Sequence, residues 1–297
     1  MKWKGVIPAV TTNLKADLSV DHAALAAHCN WMIDSGCNGI VLCGSLGEAA
    51  TLSFDEKIAV TRTCVKALAG RAPTALGIAS LRTVEAVALA RAAAEAGAEG
   101  LMVLPPYVYT SDWREMKAHV SAVIGATKLS CLLYNNPVAY KTDFLPAQIA
   151  ELAAEHENLH AVKESSGDVR RITAIREACG RRLDILVGMD DAIAEGVYAG
   201  AVGWIAGLVN AFPEESVALF DCAARGDKAR AHALYTWFLP LLRLDTVPKF
   251  VQHIKWIQAE VGRGTPFVRP PRLELTGGDL ELVRGVLAKA LRDRPTN

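Results

Sequence analysis

Short apolar runs, each followed by a segment of helical period, recur along the chain at a spacing of roughly thirty residues, the length of a βα unit. No other feature constrains the fold as much. Val6 to Thr12 reads as the first strand. Asp21 to Ser35 reads as the first helix, with Ser19 or Asp21 near its cap and Gly36 at its end. The alternation then places strands at Gly39–Cys43, Thr74–Ile78, Gly100–Leu104, Ser130–Tyr134, His160–Lys163, Leu183–Val187 and Ala201–Ile205. Helices are predicted between them at Ser53–Ala69, Thr83–Ala96, Trp113–Ala126, Leu145–His156, Val169–Ala178 and Asp191–Tyr198. Each strand is a near-continuous apolar run, as in a parallel sheet covered on both faces. Eight such units predict an α/β fold, a closed (β/α)8 TIM barrel. An open doubly wound sheet is the alternative, but no G-x-G-x-x-G follows the first strand.

From about Pro213 the strands stop. Glu214–Ala224, Asp227–Leu242, Val247–Val261 and Gly278–Leu291 have helical period. The chain is therefore divided into a catalytic barrel, residues 1–224, and a C-terminal helical appendage, residues 225–297. Val268-Arg269-Pro270-Pro271-Arg272 is expected to form a stiff loop within that appendage.

Charge excludes some functions. Lys+Arg and Asp+Glu number 32 each, so there is no basic excess to recruit nucleic acid. Seven cysteines, an odd count with no C-x-x-C pair, point to reduced thiols rather than a disulfide framework or a zinc site. The N-terminal apolar run is broken by Pro8, and no stretch has the length and apolarity of a membrane span. A cytoplasmic location is expected.

Barrel enzymes carry their chemistry at the C-terminal ends of the strands. Lys163 directly follows Leu159-His160-Ala161-Val162 at the end of strand 6. Partial desolvation there would favour a neutral amine that attacks carbonyls. A lysine facing solvent or paired with Glu164 fits the same position. Tyr134 closes the neighbouring strand and could relay protons to an imine, or merely pack. Gly44-Ser45-Leu46-Gly47-Glu48 ends strand 2 and offers backbone N–H groups and a hydroxyl to a carboxylate; a turn required only by chain geometry is equally compatible. Gly188 ends strand 7, while Trp204 and Ile205 fill strand 8 and are read as packing against the site. Asp190-Asp191 suits a metal or a helix cap, and the seven histidines form no ligand cluster.

Taken together, Gly44-x-x-Gly47-Glu48, Tyr134-Asn135-x-Pro137 and Lys163-Glu164-Ser165-Ser166-Gly167-Asp168 resemble the dihydrodipicolinate synthase/N-acetylneuraminate lyase superfamily, over most of the chain. The resemblance implies that Lys163 is a Schiff-base lysine and that Tyr134 relays protons. It also implies that Ser45 and Leu46 grip the substrate carboxylate, that no metal or organic cofactor is used, and that the protein is a homotetramer built as a dimer of dimers. Two departures bear on substrate. Synthases carry Thr-Thr where this chain has Ser45-Leu46, and an arginine soon after Tyr-Asn-x-Pro where it has Val138-Ala139-Tyr140-Lys141. The tyrosine that synthases supply across the dimer falls at Val108, with Tyr109 adjacent as a possible stand-in. The stretches around Tyr140 and Tyr109 are more similar to members that dehydrate or deaminate, 1-pyrroline-4-hydroxy-2-carboxylate deaminases first. The expected ligand is thus a small 2-oxo acid or a cyclic imine carboxylate. Expected substrate contacts are Ser45, Leu46, Gly47, Tyr109, Gly188, Trp204 and Ile205. The alternatives are a 2-keto-3-deoxy sugar acid dehydratase or aldolase, a synthase-like pyruvate condensation, or a 2-oxo acid binding module without turnover.

Overall fold

A computed structural model describes residues 1–107 and 109–295. Four βα units open the chain: β1 (Gly5–Pro8) and α1 (His22–Asp34), β2 (Ile40–Leu42) and α2 (Phe54–Leu68), β3 (Thr74–Ile78) and α3 (Thr83–Glu95), β4 (Gly100–Val103) and α4 (Trp113–Ile124). Next come β5 (Ser130–Asn135), a short α5 (Pro137–Tyr140) and α6 (Pro146–Glu155), then β6 (Leu159–Glu164) and α7 (Arg170–Cys179). The barrel ends with β7 (Asp184–Val187), α8 (Ile193–Tyr198), β8 (Gly203–Ala206) and α9 (Pro213–Ala224).

All eight strands are parallel, in the order β1-β8-β7-β6-β5-β4-β3-β2. Ala9 bridges Val41, and the Val10 N–H donates to the Val41 carbonyl at 2.9 Å, bringing the two outer strands together. The result is the (β/α)8 TIM barrel expected from the periodicity. Strands β3, β4 and β5 are buried at every residue, which explains why their sequences do not alternate. Local signals set the helix starts. Ser53 with Glu56 and Asp112 with Glu115 make reciprocal capping boxes on α2 and α4, and the Asp21 side chain caps α1.

The first strand is shorter than predicted. Beyond Val10 the chain leaves the barrel ladder and is held by side chains instead: Thr11 N–H donates to Asn210 Oδ1 at 3.1 Å, and Thr11 Oγ1 to Gln258 Oε1 at 2.7 Å. The tail contains α10 (Lys228–Leu242), α11 (Phe250–Glu260) and α12 (Gly277–Arg292). The helix predicted from Val247 begins only at Phe250; the segment before it is a 3-10 turn, Arg243–Asp245, and a bend through Pro248. A buried ion pair locks the tail to the barrel. Lys255 Nζ donates to Glu48 Oε1 at 2.7 Å and to the Thr12 carbonyl at 3.0 Å, both charged side chains being only 2% exposed. Glu48 Oε2 accepts from the Arg269 N–H at 3.0 Å.

Candidate active site

Lys163 sits in register with Tyr134 on β5 and Leu186 on β7. Its side chain is 6% exposed and lines a cavity of about 480 Å³ at the C-terminal ends of the strands. That is the end where barrels of this kind assemble their sites. The ammonium nitrogen lies 4.2 Å from the centre of the Tyr134 ring. Glu164, the alternative partner considered for Lys163, is engaged elsewhere: its carboxylate accepts from Asn135 Nδ2 at 3.0 Å and from the Ser166 N–H at 2.6 Å. Burial raises the Glu164 carboxyl above its ordinary range, against those hydrogen bonds.

Gly188 is what lets Lys163 lie where it does. A Cβ added at Gly188 would meet Lys163 Cε at 2.6 Å and Lys163 Cγ at 2.8 Å, and the Ser165 hydroxyl at a still shorter distance. The lysine stem runs directly over the glycine Cα, so this position tolerates no side chain without displacing Lys163.

The opposite wall comes from the turn after β2 and from α5. Ser45 and Leu46 line the cavity. Their backbone N–H groups find no acceptor among the described residues, so they remain available to an anionic oxygen. Cys43 (φ 51°) and Glu48 (φ 57°), on either side of the turn, adopt left-handed backbone. Strain of that kind persists only where surroundings over-determine it, here by the Glu48–Lys255 pair. The Ser45 hydroxyl contacts the Tyr140 hydroxyl. Tyr140 stands edge-on to Tyr134, with ring centres 5.7 Å apart at 88°. Burial, reinforced by the neighbouring Tyr134, holds the Tyr140 phenol far above its ordinary range, so it stays protonated. The Tyr134 oxygen accepts from Asn136 Nδ2 at 3.0 Å.

Ile205 and Gly188 also line this cavity. Three expected contacts do not. Gly47 faces away: its carbonyl accepts from Thr12 Oγ1 at 2.7 Å, and a Cβ there would meet the Val10 carbonyl at 2.8 Å, so its role is close packing of the turn. Trp204 is fully buried, with its indole N–H donating to Asp190 Oδ1 at 2.9 Å. Tyr109 is 57% exposed and lines a separate surface recess with Leu81 and His119. Val108 lies outside the described residues.

Sequence reasoning missed the tail's share of the cavity: Asp245, Thr246, Val247, Phe250 and Arg272. The one local signal was the helix break Leu244-Asp245-Thr246-Val247-Pro248, which places polar residues between two apolar helices. Tyr140, already singled out for the stretch it closes, also lines the wall. Asp190 neither caps a helix nor joins a metal cluster. It accepts from the Gly207 and Leu208 N–H groups at 3.0 and 2.8 Å, and among the described residues no group of three potential ligands could hold a metal.

A parallel (β/α)8 barrel with a buried lysine at the end of β6, a tyrosine beside it and an anion-ready turn opposite defines a lyase of the Schiff-base superfamily. The chain belongs to the dihydrodipicolinate synthetase family, whose pattern it matches over residues 2–290. It is 35% identical over 272 residues to a 4-hydroxy-tetrahydrodipicolinate synthase of Rhizobium meliloti (strain 1021), covering 91% of this chain and 92% of the relative. Among solved structures it is similar to a putative dihydrodipicolinate synthetase from Pseudomonas aeruginosa (30% identity, TM-score 0.92, 98% of this chain and 100% of that one). It is also similar to the dihydrodipicolinate synthase of Acinetobacter baumannii complexed with pyruvate (28% identity, TM-score 0.91, 97% and 99%). The names of these relatives point to the synthase, not to the deaminase that the sequence stretches around Tyr140 suggested. No described helix is long and apolar enough to cross a membrane.

Proposed function

We propose that Lys163 condenses with C2 of 1-pyrroline-4-hydroxy-2-carboxylate and that the protein deaminates this cyclic imine to 2-oxoglutarate semialdehyde. Addition of the amine and opening of the ring give a protonated ketimine, an electron sink. Loss of a C3 proton makes an enamine, and the C4 hydroxyl leaves. A proton then moves from C5 to C4, leaving an imine at C5 and the enamine at C2; water at C5 releases ammonia, and protonation of C3 with water at C2 frees the semialdehyde from Lys163. Tyr134 manages protons at the imine. Ser45 and the N–H of Leu46 hold the single carboxylate as preorganised donors.

The observation that carries this reading is the α5 wall. Where synthases are expected to place an arginine for a second carboxylate, the cavity is faced by Val138, Ala139 and Tyr140, and the Tyr140 hydroxyl is occupied by Ser45. A substrate with one carboxylate suits that wall. A second reading, condensation of pyruvate with an aldehyde acceptor, is supported by the names of the relatives. It also draws support from Arg272, a cation at the cavity edge from the other side. Exposed Leu81, Val84 and Tyr109 support assembly of copies into the expected homotetramer, which light scattering would measure.

Purified protein incubated with each substrate separates the readings. Ammonia and semialdehyde from the cyclic imine are expected; pyruvate consumption with the aldehyde acceptor and no ammonia would replace the first reading by the second. Borohydride trapping with peptide mapping is expected to mark Lys163 in either case. Lys163→Arg should keep the fold and lose turnover, because a guanidinium does not become a neutral amine in a protein.

A further inference from the structure

Two carboxyl groups meet at the end of the cavity nearest β7 and β8. Asp190 is fully buried and saturated as an acceptor: Trp204 Nε1 reaches it at 2.9 Å, the Gly207 N–H at 3.0 Å and the Leu208 N–H at 2.8 Å. Asp245, on the 3-10 turn of the tail, faces it across Gly207. A Cβ on Gly207 would lie 2.8 Å from Asp245 Cγ, so the second carboxyl rests directly on that glycine. Asp245 lines the same cavity as Lys163, and no side-chain hydrogen bond engages it among the described residues.

We propose that Asp245 is a further catalytic residue, the general acid that protonates the oxygen departing from C4 of the Lys163-bound substrate. The proposal rests on the deaminase reading and deepens it. In the enamine, the nitrogen lone pair re-forms the C2=N bond and the C2=C3 pair becomes the C3=C4 bond. The C4–O bond breaks with its electrons on oxygen. That oxygen takes the Asp245 proton and leaves as water, and the resulting carboxylate regains a proton from solvent. No oxidant or further co-reactant is needed.

Three charged groups act on Asp245: Asp190, Lys163 and Asp191. Burial, and then the Asp190 charge, hold the Asp245 carboxyl well above its ordinary range, with Lys163 opposing. Asp190 is pushed up to about 6 by burial, against its three N–H donors. A charge on Asp190 disfavours a second charge beside it, so one of the two carboxyls keeps a proton. The donors that converge on Asp190 favour its anion, so the proton resides on Asp245, the member that lines the cavity. An acid poised this way suits a hydroxide leaving group, which departs poorly without protonation.

The test compares wild type with Asp245→Asn in deuterated water, reading borohydride-trapped imine, deuterium exchange at C3 and ammonia release. The Asn variant is expected to trap and exchange within about threefold of wild type, while ammonia release falls about 10²- to 10⁴-fold. With a 4-fluoro analogue, whose leaving group needs no proton, the deficit should shrink to less than about tenfold. Three outcomes overturn the assignment alone: normal ammonia release by the variant, parallel loss of trapping and release, or an undiminished deficit with the fluoro analogue. A wild type that traps imine but releases no ammonia overturns the deaminase reading, and this assignment with it.

Discussion

Replacing Gly188 by alanine should separate stability from catalysis in this barrel. The new methyl group would begin 2.6 Å from Lys163 Cε and 2.8 Å from Lys163 Cγ. Ordinary contact starts at 3.4 Å, so the lysine tip must retreat by about 0.8 Å. The neighbours that must move are a flexible stem and the Ser165 hydroxyl, which has no hydrogen bond to lose among the described residues. Overpacking of this kind costs about 1–3 kcal/mol, the lower end applying where side chains can yield. Catalysis responds differently. A misplacement of about 1 Å in a reacting group costs on the order of 10²-fold, or about 2.7 kcal/mol of transition-state stabilisation. The prediction is a variant whose urea midpoint shifts little while kcat/KM and the rate of borohydride trapping fall together by about 10²-fold. The assay pairs equilibrium unfolding with single-turnover trapping. A folded Gly188→Ala protein that traps substrate at the wild-type rate would refute the claim that this glycine positions the nucleophile.

Other expectations are more compact. Lys255→Met leaves the buried Glu48 carboxylate uncompensated and should destabilise the protein by about 3–5 kcal/mol in urea unfolding. The same change should raise KM, because the turn carrying Ser45 and Leu46 loses its anchor. Tyr134→Phe should lower kcat by about 10²-fold or more with the fold intact, measured by steady-state kinetics. His28 is pushed down to about 4 by burial, its Nε2 lying 3.1 Å from Asn210 Oδ1. The unfolded chain therefore binds a proton that the folded one refuses, and stability should fall by about 3 kcal/mol as pH drops from about 6.5 to 4. His28→Gln should flatten that part of the urea-stability profile. The Asp190–Asp245 pair acts in the opposite sense. Its raised values make the folded state hold a proton longer, so the pair's contribution is lost as pH rises from about 4 through 6 and beyond. The stability of Asp245→Asn relative to wild type should accordingly increase with pH over that interval.

The barrel was legible because its signal is local and repeated. β3 ends where the apolar run ends, and α2 begins where Ser53 and Glu56 form their box. Lys163, Tyr134, Ser45, Leu46, Gly188 and Ile205 could be placed because a strand end in a barrel is already a location in space. Gly47 and Trp204 lie off the cavity because strand-end position does not fix which way a residue faces. Trp204 points to Asp190, and Gly47 presents a carbonyl to Thr12. The tail's part was hidden for another reason. Asp245 reaches Gly207, and Lys255 reaches Glu48 over 207 positions, contacts that no window of periodicity can hold.

That the tail closes the cavity has an evolutionary corollary. The half of the pocket around Lys163 and Tyr134 is written into strand ends whose residues are also buried core, where change is expensive. The half that meets the far end of the ligand is written into a bend between helices, which can drift without unravelling the barrel. A lineage could therefore exchange one carbon skeleton for another by editing residues 245–250 and 272 while inheriting the amine unchanged, and the shared name of its cousins would outlast their shared diet.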